Sequence, residues 1–437
     1  MIVPMQAIIL SIGDELVLGQ TVDTNSAYLS AKLAEVGITT RWHQTIADDR
    51  TLIADAIRWA SNEADLVIIT GGIGPTDDDL TRQALADAMQ VGLIESEVAL
   101  EQIQAMFKTF GRAMPERNRI QAMHPAGTEI IENKAGTAPG IRAKLNRAAI
   151  YVTPGVPREM QTMYERSIVR DLRQRAGNHS IILTATIHTF GVGESSLAEM
   201  LGPLCDRARN PKVGTTVAAG ICSVRIRSEF PDAAQAKREL DATIADVERA
   251  VGPIAFGRDE DTLQSAAVTL LKEKRKTVAT AESCTGGLIG KLLTDVPGSS
   301  AVYAGGWVTY TNELKHRELG VPRELLDAHG AVSGQVVRAM ADGAIEQSGA
   351  DLSLAVTGIA GPDGGTPDKP VGTVWIALGY RDAAQTHTQA MRLQLPGTRQ
   401  TIRDRAARCA LQMLRLHLLN QPLNLIQWGQ PPTAAKI

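Results

Sequence analysis

Apolar residues occur with two different spacings that alternate along the first third of the chain. Short, nearly continuous apolar runs over 6–12 and 66–70 predict buried strands. Apolar residues three or four positions apart predict helices, which cover 26–36, 51–62 and 81–89. Strands that alternate with helices in this way are typical of a parallel sheet covered by helices on both faces.

After residue 176 the sequence becomes polar and a smaller unit follows. Strand and helix patterns cover 180–189, 194–204, 213–219, 221–228 and 233–251. The two strands that flank Gly220 predict a hairpin. We therefore expect a small α+β domain here, and it lacks the excess of basic residues that nucleic-acid-binding domains carry.

A third region starts near residue 258 and again alternates strands with helices. The predicted strands and helices cover 262–274, 305–311, 333–347, 352–356, 371–380 and 401–418. The predicted fold class is α/β, with domains over 1–176, 177–257 and 258–420. The residues from 421 to 437 include two adjacent prolines, and we expect them to form a poorly packed tail.

The stretch from 280 to 287, Thr-Ala-Glu-Ser-Cys-Thr-Gly-Gly, lies between a predicted strand and a predicted helix. Such a turn can hold an anion, or it can present a nucleophile beside an oxyanion site at the helix N-terminus. Ser283 and Cys284 are both candidate nucleophiles. The alternative is that the two glycines merely make a tight turn.

A serine needs a base before it can attack a carbonyl group at neutral pH. The histidines of this region lie outside glycine-rich segments, so a lysine is the better candidate for the base. Tyr310 and Lys315 lie at a predicted strand end and the adjacent helix start, where Asn312 can cap the helix. They can converge on Ser283 if the two strands are neighbours, although a lone Tyr or Lys in such positions is usually structural.

Acidic residues follow several predicted strands of the first domain. The clusters are Asp14 and Glu15, Asp48 and Asp49, and 77–79, the last of which comes after the glycine-rich segment 71–75. A glycine loop offers N–H groups to phosphate, and clustered carboxylates hold a hard divalent cation. The alternative for the acids at 77–79 is a helix cap.

Composition narrows the class of protein. The 437 residues include 44% hydrophobic positions, carry a net charge of −3 and contain four cysteines without a Cys-x-x-Cys pair. These values predict a globular protein of two or three domains, with neither a disulfide framework nor a zinc site. Because no apolar run approaches about 20 residues and no basic leader precedes the first strand, we expect a cytoplasmic protein without membrane spans.

Long motifs in the last domain resemble the nicotinamide mononucleotide amidohydrolase (deamidase) domain. They are Ala281-Glu-Ser-Cys-Thr-Gly-Gly287, Val308-Thr-Tyr-Thr-Asn312 with Lys315, His329-Gly-Ala-Val-Ser333, and Thr357-Gly-Ile-Ala-Gly-Pro-Asp-Gly-Gly365. Motifs of the first domain resemble the molybdopterin-binding-like fold. They are Gly13-Asp-Glu-Leu, Asp23-Thr-Asn-Ser26, the segment 71–81, Gly136-Thr-Ala-Pro-Gly140 and Pro154-Gly-Val-Pro157. In this order they resemble the competence/damage-inducible protein A (CinA) family.

The resemblance implies that the last domain hydrolyses the carboxamide of nicotinamide mononucleotide, releasing ammonia, without a cofactor. It implies Ser283 as nucleophile and Tyr310 and Lys315 as its activating partners. Substrate contacts are implied at nine positions: Cys284, Thr285, Gly286, Gly287, Ser300, Thr357, Gly358, Gly361 and Arg399. Arg399 stands in Gly397-Thr-Arg399, where the family usually has Gly-Asp-Arg.

For the first domain, the resemblance implies cleavage of ADP-ribose that depends on a divalent metal such as Mg, Mn or Co. The implied phosphate-binding residues are Gly71, Gly72, Gly74, Asp14 and Asp77, and the implied metal ligands are Asp48 and Asp79. The middle domain is similar to a KH domain but has no Gly-x-x-Gly loop. The family also implies a homodimer.

A different class of function is also compatible with these motifs. The chain could be a non-catalytic nucleotide- or pterin-binding scaffold that acts in competence or in the DNA-damage response. The complete set of Ser283, Tyr310 and Lys315 favours the enzyme, since a degenerate domain is expected to lose one of them. The near-neutral net charge argues against direct binding of nucleic acid.

Overall fold

The computed structural model of the protein describes residues 5–176, 181–382 and 385–430. Contacts between Cα atoms divide the chain into two compact units, one formed by 1–183 and 228–238 and the other by 184–227 and 239–437. Among the described residues, no helix combines the length and the apolar character needed to cross a membrane.

The first domain is built on a six-stranded, mostly parallel sheet in the order β2-β1-β3-β8-β7-β6. Its strands and helices are β1 (Gln6–Ile12), α1 (Asp14–Val17), α2 (Thr24–Glu35), β2 (Thr39–Ile46), α3 (Arg50–Glu63), β3 (Leu66–Thr70), α4 (Thr81–Met89), β4 (Leu93–Glu95), α5 (Glu97–Thr109), β5 (Met123–Pro125), β6 (Glu129–Ile131), β7 (Gly140–Leu145), β8 (Ala148–Thr153), α6 (Pro157–Met163) and α7 (Val169–Ala176).

Both faces of this sheet are buried, which explains the continuous apolar run of β1. Ile8 and Leu10 pack on one side with α3 and α4, whereas Ala7 and Ile9 pack on the other side with α2 and α6. Strands β2, β1, β3 and β8 pair in parallel, so their carboxyl ends share one edge of the sheet. Ligands of such folds bind at that edge.

The middle region forms a four-stranded sheet in the order β10-β11-β9-β12. Its strands and helices are β9 (Ile181–Thr189), α8 (Glu194–Leu201), β10 (Lys212–Ala218), β11 (Ile221–Phe230), α9 (Ala233–Val251) and β12 (Ala255–Arg258). The hairpin predicted about Gly220 is confirmed, because β10 and β11 pair antiparallel across that turn. The boundary predicted around 176–179 falls mostly on residues outside the described part of the chain.

The last domain contains a mixed six-stranded sheet in the order β14-β13-β15-β16-β17-β18. Its strands and helices are α10 (Leu263–Lys274), β13 (Val278–Glu282), α11 (Leu288–Thr294), β14 (Tyr303–Val308), α12 (Asn312–Leu319), α13 (Arg323–His329), α14 (Gly334–Ser348), β15 (Leu352–Gly358), β16 (Thr373–Arg381), β17 (Thr386–Gln394), α15 (Arg399–Leu418) and β18 (Gly429–Gln430).

Strand β13 lies between β14 and β15, and it is parallel to both. Its side chains alternate between two cores: Val278 packs with α10 and α15, and Ala279 and Ala281 pack with α14. A helix layer therefore covers each face of the sheet, and the carboxyl ends of three parallel strands meet where Ser283 lies. With this arrangement, the predicted α/β fold class is confirmed.

The predicted loose tail is wrong for its described part, 421–430. Strand β18 pairs antiparallel with β17, and Ile426 is almost completely buried in the core of the last domain. No pattern in the sequence predicts this packing, because the segment is short and contains Pro422.

Candidate functional site

Ser283 stands directly after β13, at the first residue of a tight turn that leads to α11. Its backbone N–H donates to the carbonyl of Val356 on β15 (2.9 Å), which holds the turn against the neighbouring strand. Gly286 and Gly287 adopt φ values of 62° and 91°, a region that side chains with a Cβ atom rarely occupy. The glycine pair is therefore required by the backbone path that presents Ser283.

Lys315 reaches Ser283 from helix α12. Its side chain is completely buried, and its Nζ donates to Ser283 Oγ (3.1 Å) and to the carbonyl of Thr309 (2.7 Å). Burial lowers the pKa of the Lys315 amine to about 8, because the charged form loses its water. The helix is capped by Thr311, whose side chain accepts from Leu314 N–H, and so the predicted cap at Asn312 is wrong by one residue.

Cys284, the other candidate nucleophile, is buried in the core. Its side chain belongs to the hydrophobic core of the last domain and is only 5% exposed. Burial raises the pKa of the Cys284 thiol to about 12, so the reactive thiolate is strongly disfavoured. The geometry thus favours Ser283, and only the backbone of Cys284 is available for a substrate contact.

Tyr310 does not join Ser283 and Lys315, contrary to the predicted convergence. Its phenol accepts a hydrogen bond from Arg399 Nη2 (2.7 Å), and the side chain is 54% exposed. The described residues show no hydrogen bond from this phenol to Ser283 or Lys315. Since Tyr310 lies beyond the end of β14, its side chain turns outward, whereas the carbonyl of its neighbour Thr309 faces Lys315.

Arg399 connects two of the predicted substrate-binding segments. At the first position of α15 its Nη1 donates to the carbonyl of Gly361 (2.8 Å), while its Nη2 holds Tyr310. Thr357 also lies close to Ser283, because Ser283 N–H bonds the carbonyl of the preceding residue. The hydroxyl of Thr357 donates to the carbonyl of Ala331 (2.8 Å), and Gly358 ends the same strand.

Ser300 is placed at the opposite end of the sheet within this chain. It precedes β14, whose first residue pairs with Val278 at the start of β13, whereas Ser283 follows the end of β13. The five residues of β13 separate the end of the sheet near Ser300 from the end near Ser283, a distance of about 16 Å at the usual rise per residue. The structure therefore does not bring Ser300 to the other predicted substrate contacts.

Two N–H groups in the first turn of α11 are not free to stabilise an oxyanion, although the sequence suggested this helix N-terminus as an oxyanion site. The buried carboxylate of Glu282 accepts from the N–H groups of Ile289 (3.1 Å) and Gly290 (2.9 Å). Backbone donors for an oxyanion must therefore come from residues that precede Ile289, such as those of the turn 284–287. Within that turn the Thr285 hydroxyl is buried and has no hydrogen-bond partner among the described residues.

A second candidate site lies at the carboxyl ends of the strands in the first domain. A cavity of about 520 Å³ is lined by Gly71, Gly72, Gly74 and by five carboxylates, Glu15, Asp48, Asp78, Asp79 and Glu159. Asp14 does not line the cavity but holds Asp48 in place. The N–H of Asp14 donates to Asp48 Oδ2 (2.8 Å), and the N–H of Asp48 donates to Asp14 Oδ1 (3.1 Å). Asp77 is exposed and does not line this cavity.

The glycine loop of this cavity already uses several of its own N–H groups. Gly71 N–H donates to the carbonyl of Thr153 (3.0 Å). The Asp79 carboxylate accepts from the N–H groups of Gly74 (2.6 Å) and Thr76 (2.8 Å). The expected row of free phosphate donors is therefore only partly present, and both oxygens of Asp79 are engaged within the loop.

The described residues contain no group of three or more His, Cys, Asp or Glu side chains arranged to hold a metal ion. The cavity nevertheless offers only oxygen donors, which suit a hard divalent cation that keeps water and substrate phosphate as further ligands. Asp48 fits that role best: its pKa is raised chiefly by burial and further by the neighbouring carboxylates Asp14, Glu15 and Asp78. A cation would offset this repulsion.

Comparison with known proteins assigns each region. Residues 8–174 match the family model described as "Probable molybdopterin binding domain", residues 184–257 match "Damage-inducible protein CinA KH domain", and residues 260–418 match "CinA C-terminal domain". A crystal structure of a competence/damage inducible protein from Agrobacterium tumefaciens is 46% identical, with a TM-score of 0.34, and the match covers 36% of this chain and 94% of that chain.

Relatives of full length are also similar. A CinA-like protein of Geobacter metallireducens is 42% identical over 95% of this chain and 100% of its own length. A CinA-like protein of Frankia casuarinae is 40% identical over 96% of this chain and 97% of its own length. Similarity of this extent, with all three domains in order, shows that the chain belongs to the CinA family.

Proposed function

We propose that the last domain hydrolyses the carboxamide of nicotinamide mononucleotide to nicotinic acid mononucleotide and ammonia. The observation that carries this proposal is the buried Lys315 amine, 3.1 Å from Ser283 Oγ. A lysine with a pKa of about 8 has a much larger neutral fraction at pH 7 than an ordinary lysine, and a neutral amine can act as a general base. Ser283 and Lys315 thus form a serine–lysine pair.

In the first half of the reaction, the Lys315 amine takes the Ser283 proton as Oγ attacks the carboxamide carbon. The resulting ammonium then gives this proton to the departing nitrogen, so ammonia leaves and an ester remains on Ser283. The bond to the Thr309 carbonyl fixes one N–H of the amine and so helps to aim its lone pair at Ser283. In the second half, Lys315 takes a proton from water as the water oxygen attacks the ester carbon. The ammonium then gives this proton to Ser283 Oγ as the acid leaves, which restores the hydroxyl and the neutral amine.

Tyr310 and Arg399 are the groups we assign to substrate binding in this proposal. They lie at the open side of the site, and a guanidinium matches the geometry of a phosphate group. Since Tyr310 bonds Arg399, its function would be to orient this cation and not to relay the serine proton.

The first test compares Ser283→Ala and Lys315→Ala with the wild type in an ammonia-release assay with nicotinamide mononucleotide. We expect Ser283→Ala to abolish release and Lys315→Ala to reduce it by about 10²–10⁴-fold, the usual contribution of a general base. Lys276→Ala is the matched control, because that lysine bonds Asp351 at the other end of β13. Retention of wild-type activity in Ser283→Ala would reject the mechanism.

A second activity, cleavage of the ADP-ribose pyrophosphate bond, is proposed for the first domain because five carboxylates line its cavity. A bound divalent cation would polarise the phosphate and lower the pKa of a water molecule. Asp48 would hold the cation, the reciprocal bonds with Asp14 would position Asp48, and the glycine loop would contact the pyrophosphate.

This second activity is tested by ADP-ribose breakdown before and after chelation, with Asp48→Asn as the site variant. We expect chelation and Asp48→Asn each to lower the rate at least tenfold. Asp55→Asn, an exposed aspartate that pairs with Arg58 on α3, should leave the rate unchanged. Breakdown that is indifferent to chelation would remove the metal from the proposal, and binding of both nucleotides without turnover would instead favour the scaffold.

A further inference from the structure

Helix α15 sends a second arginine into the Ser283 turn, one helical turn beyond Arg399. Arg403 Nε donates to the carbonyl of Cys284 (3.0 Å), and its Nη2 donates to the carbonyl of Thr285 (2.8 Å). One guanidinium thus joins the carbonyl groups of two consecutive residues, Cys284 and Thr285, which directly follow the candidate nucleophile.

This contact fixes the orientation of two peptide groups. The two peptide bonds that follow Cys284 and Thr285 are trans, and in a planar trans peptide the C=O and N–H groups point in opposite directions. The N–H groups of Thr285 and Gly286 therefore point away from Arg403. Gly286 N–H is used by the carbonyl of Ser283 (3.0 Å), which leaves Thr285 N–H as a donor on the side of the turn opposite the guanidinium.

Glu282 already occupies the N–H groups of Ile289 and Gly290 in the first turn of α11, so the Thr285 N–H is a donor that remains close to Ser283 in the chain. A left-handed, glycine-rich turn is also free to rotate its peptide groups unless something holds them. The only charged side chain bonded to the carbonyl groups of Cys284 and Thr285 in the described part of the chain is Arg403.

We propose that Arg403 is a positioning residue of the amidase site. It holds the peptide group between Cys284 and Thr285 so that the Thr285 N–H faces the oxyanion formed when Ser283 attacks. Among the described residues, Arg403 makes no hydrogen bond to the Ser283 or Lys315 side chain, and this role rests on the serine mechanism proposed above. To bond both carbonyl groups at once, the side chain must carry two N–H donors in a fixed planar arrangement. Arginine has this arrangement and lysine does not.

Helix α15 is suited to this task because it is rigidly seated. Its 20 residues pack through Ile402, Ala406 and Ala410 into the core of the last domain. The position of Gly286 leaves room for the guanidinium: a Cβ atom there would lie 3.3 Å from Arg403 Nη2. The absence of a side chain at Gly286 therefore allows the Arg403 guanidinium to reach the two carbonyl groups.

The test uses Arg403→Gln and Arg403→Lys in the full-length protein, with three measurements. Steady-state ammonia release gives kcat and KM, a fluorophosphonate probe gives the rate of covalent labelling of Ser283, and thermal unfolding gives Tm. The probe reacts through an oxyanion at phosphorus but needs no nicotinamide substrate. Arg405→Lys is the matched control, because Arg405 on the same helix bonds the carbonyl of Pro396 instead (2.6 Å).

We expect Arg403→Gln to lower both kcat and the labelling rate by about 10²–10³-fold, as loss of an oxyanion donor does, with KM within about threefold of wild type. Arg403→Lys should recover part of this loss, and Arg405→Lys should match the wild type. If Arg403→Gln does not fold, a loss of at least tenfold in Arg403→Lys supports the proposal.

Both rates are measured below the Tm of either variant. If the labelling rate and kcat stay within threefold of wild type, the proposal is overturned even if Tm falls. That result is expected of an arginine that only stabilises the fold. A wild-type protein that is labelled at Ser283 but releases no ammonia would reject the proposed substrate and leave the role of Arg403 testable by labelling. Absence of labelling in the wild type would reject Ser283 as nucleophile and, with it, both proposals.

Discussion

At the scale of single residues, burial distinguishes between side chains that the sequence left equivalent. Ser283 and Cys284 are neighbours in one motif, yet the thiol lies in the core and the hydroxyl lies beside an amine. Lys315 was a candidate base from the sequence, and the fold makes it a suitable one because it removes the amine from water and places it beside Ser283. Burial shifts the two pKa values in opposite directions, since in each case it disfavours the charged form.

The pKa of Lys315 leads to a prediction for the pH dependence of amide hydrolysis. Below about pH 8 the amine is mostly protonated and cannot accept the serine proton, so kcat/KM should rise up to tenfold per pH unit. Above about pH 8 the amine is neutral and kcat/KM should level off. The measurement is kcat/KM between pH 6 and 9.5.

Lys276→Ala serves as the control for this profile, because Lys276 pairs with Asp351 away from the site. The control should show the same rise as the wild type. A profile without a rise between pH 6 and 8 would contradict the assignment of Lys315 as the base, whereas an unchanged ammonia-release rate in Lys315→Ala would contradict any role for that amine.

At the scale of helices and strands, the periodic segments were predicted well and the capping contacts were not. The order strand, turn and helix around Ser283 follows from apolar spacing and two glycines. The occupation of the α11 N-terminus by Glu282 does not, because β13 ends in a buried carboxylate whose partners lie seven and eight residues further on. Because of that contact, the N–H groups of Ile289 and Gly290 are not available to stabilise an oxyanion.

Strand β17 shows why one element of the last sheet was not predicted. Most of its residues are partly buried and only Leu393 is buried, and most of them are polar or small, so no apolar alternation marks it. It is held by pairing with β16 along nine residues. Strand β18, only two residues long, depends in turn on β17. Such strands are specified by their neighbours and not by their own pattern.

At the scale of the whole molecule, the middle and last regions share one compact unit for residues 184–227 and 239–437. Arg415 of α15 is part of the reason: its Nη1 donates to the carbonyl of Pro253 (2.7 Å), its Nη2 donates to the carbonyl of Ala255, and the side chain is 4% exposed. Gln412 on the same helix donates to the carbonyl of Phe190 (3.1 Å). Helix α15 thus contacts both regions.

We predict that Arg415→Met lowers the free energy of unfolding of this unit by about 2–4 kcal/mol, because two partly buried carbonyl groups lose the donor that a buried guanidinium supplies. The measurement is urea denaturation of the full-length chain. The control is Arg249→Met, whose guanidinium is 76% exposed and pairs with Asp246, and it should change the stability by less than about 0.5 kcal/mol. Equal losses in both variants would show that the buried contact contributes nothing.

The sequence by itself determined the α/β class, the principal strands and helices, and the turn that carries Ser283, because apolar spacing and glycine positions are local properties. It also contained the motifs that link the chain to its family. The tertiary structure alone decided that Lys315 lies at Ser283, that Tyr310 bonds Arg399 and that Arg403 holds the nucleophile turn. Those contacts join residues up to 119 positions apart, and their existence depends on which strands become neighbours and which side chains are removed from water.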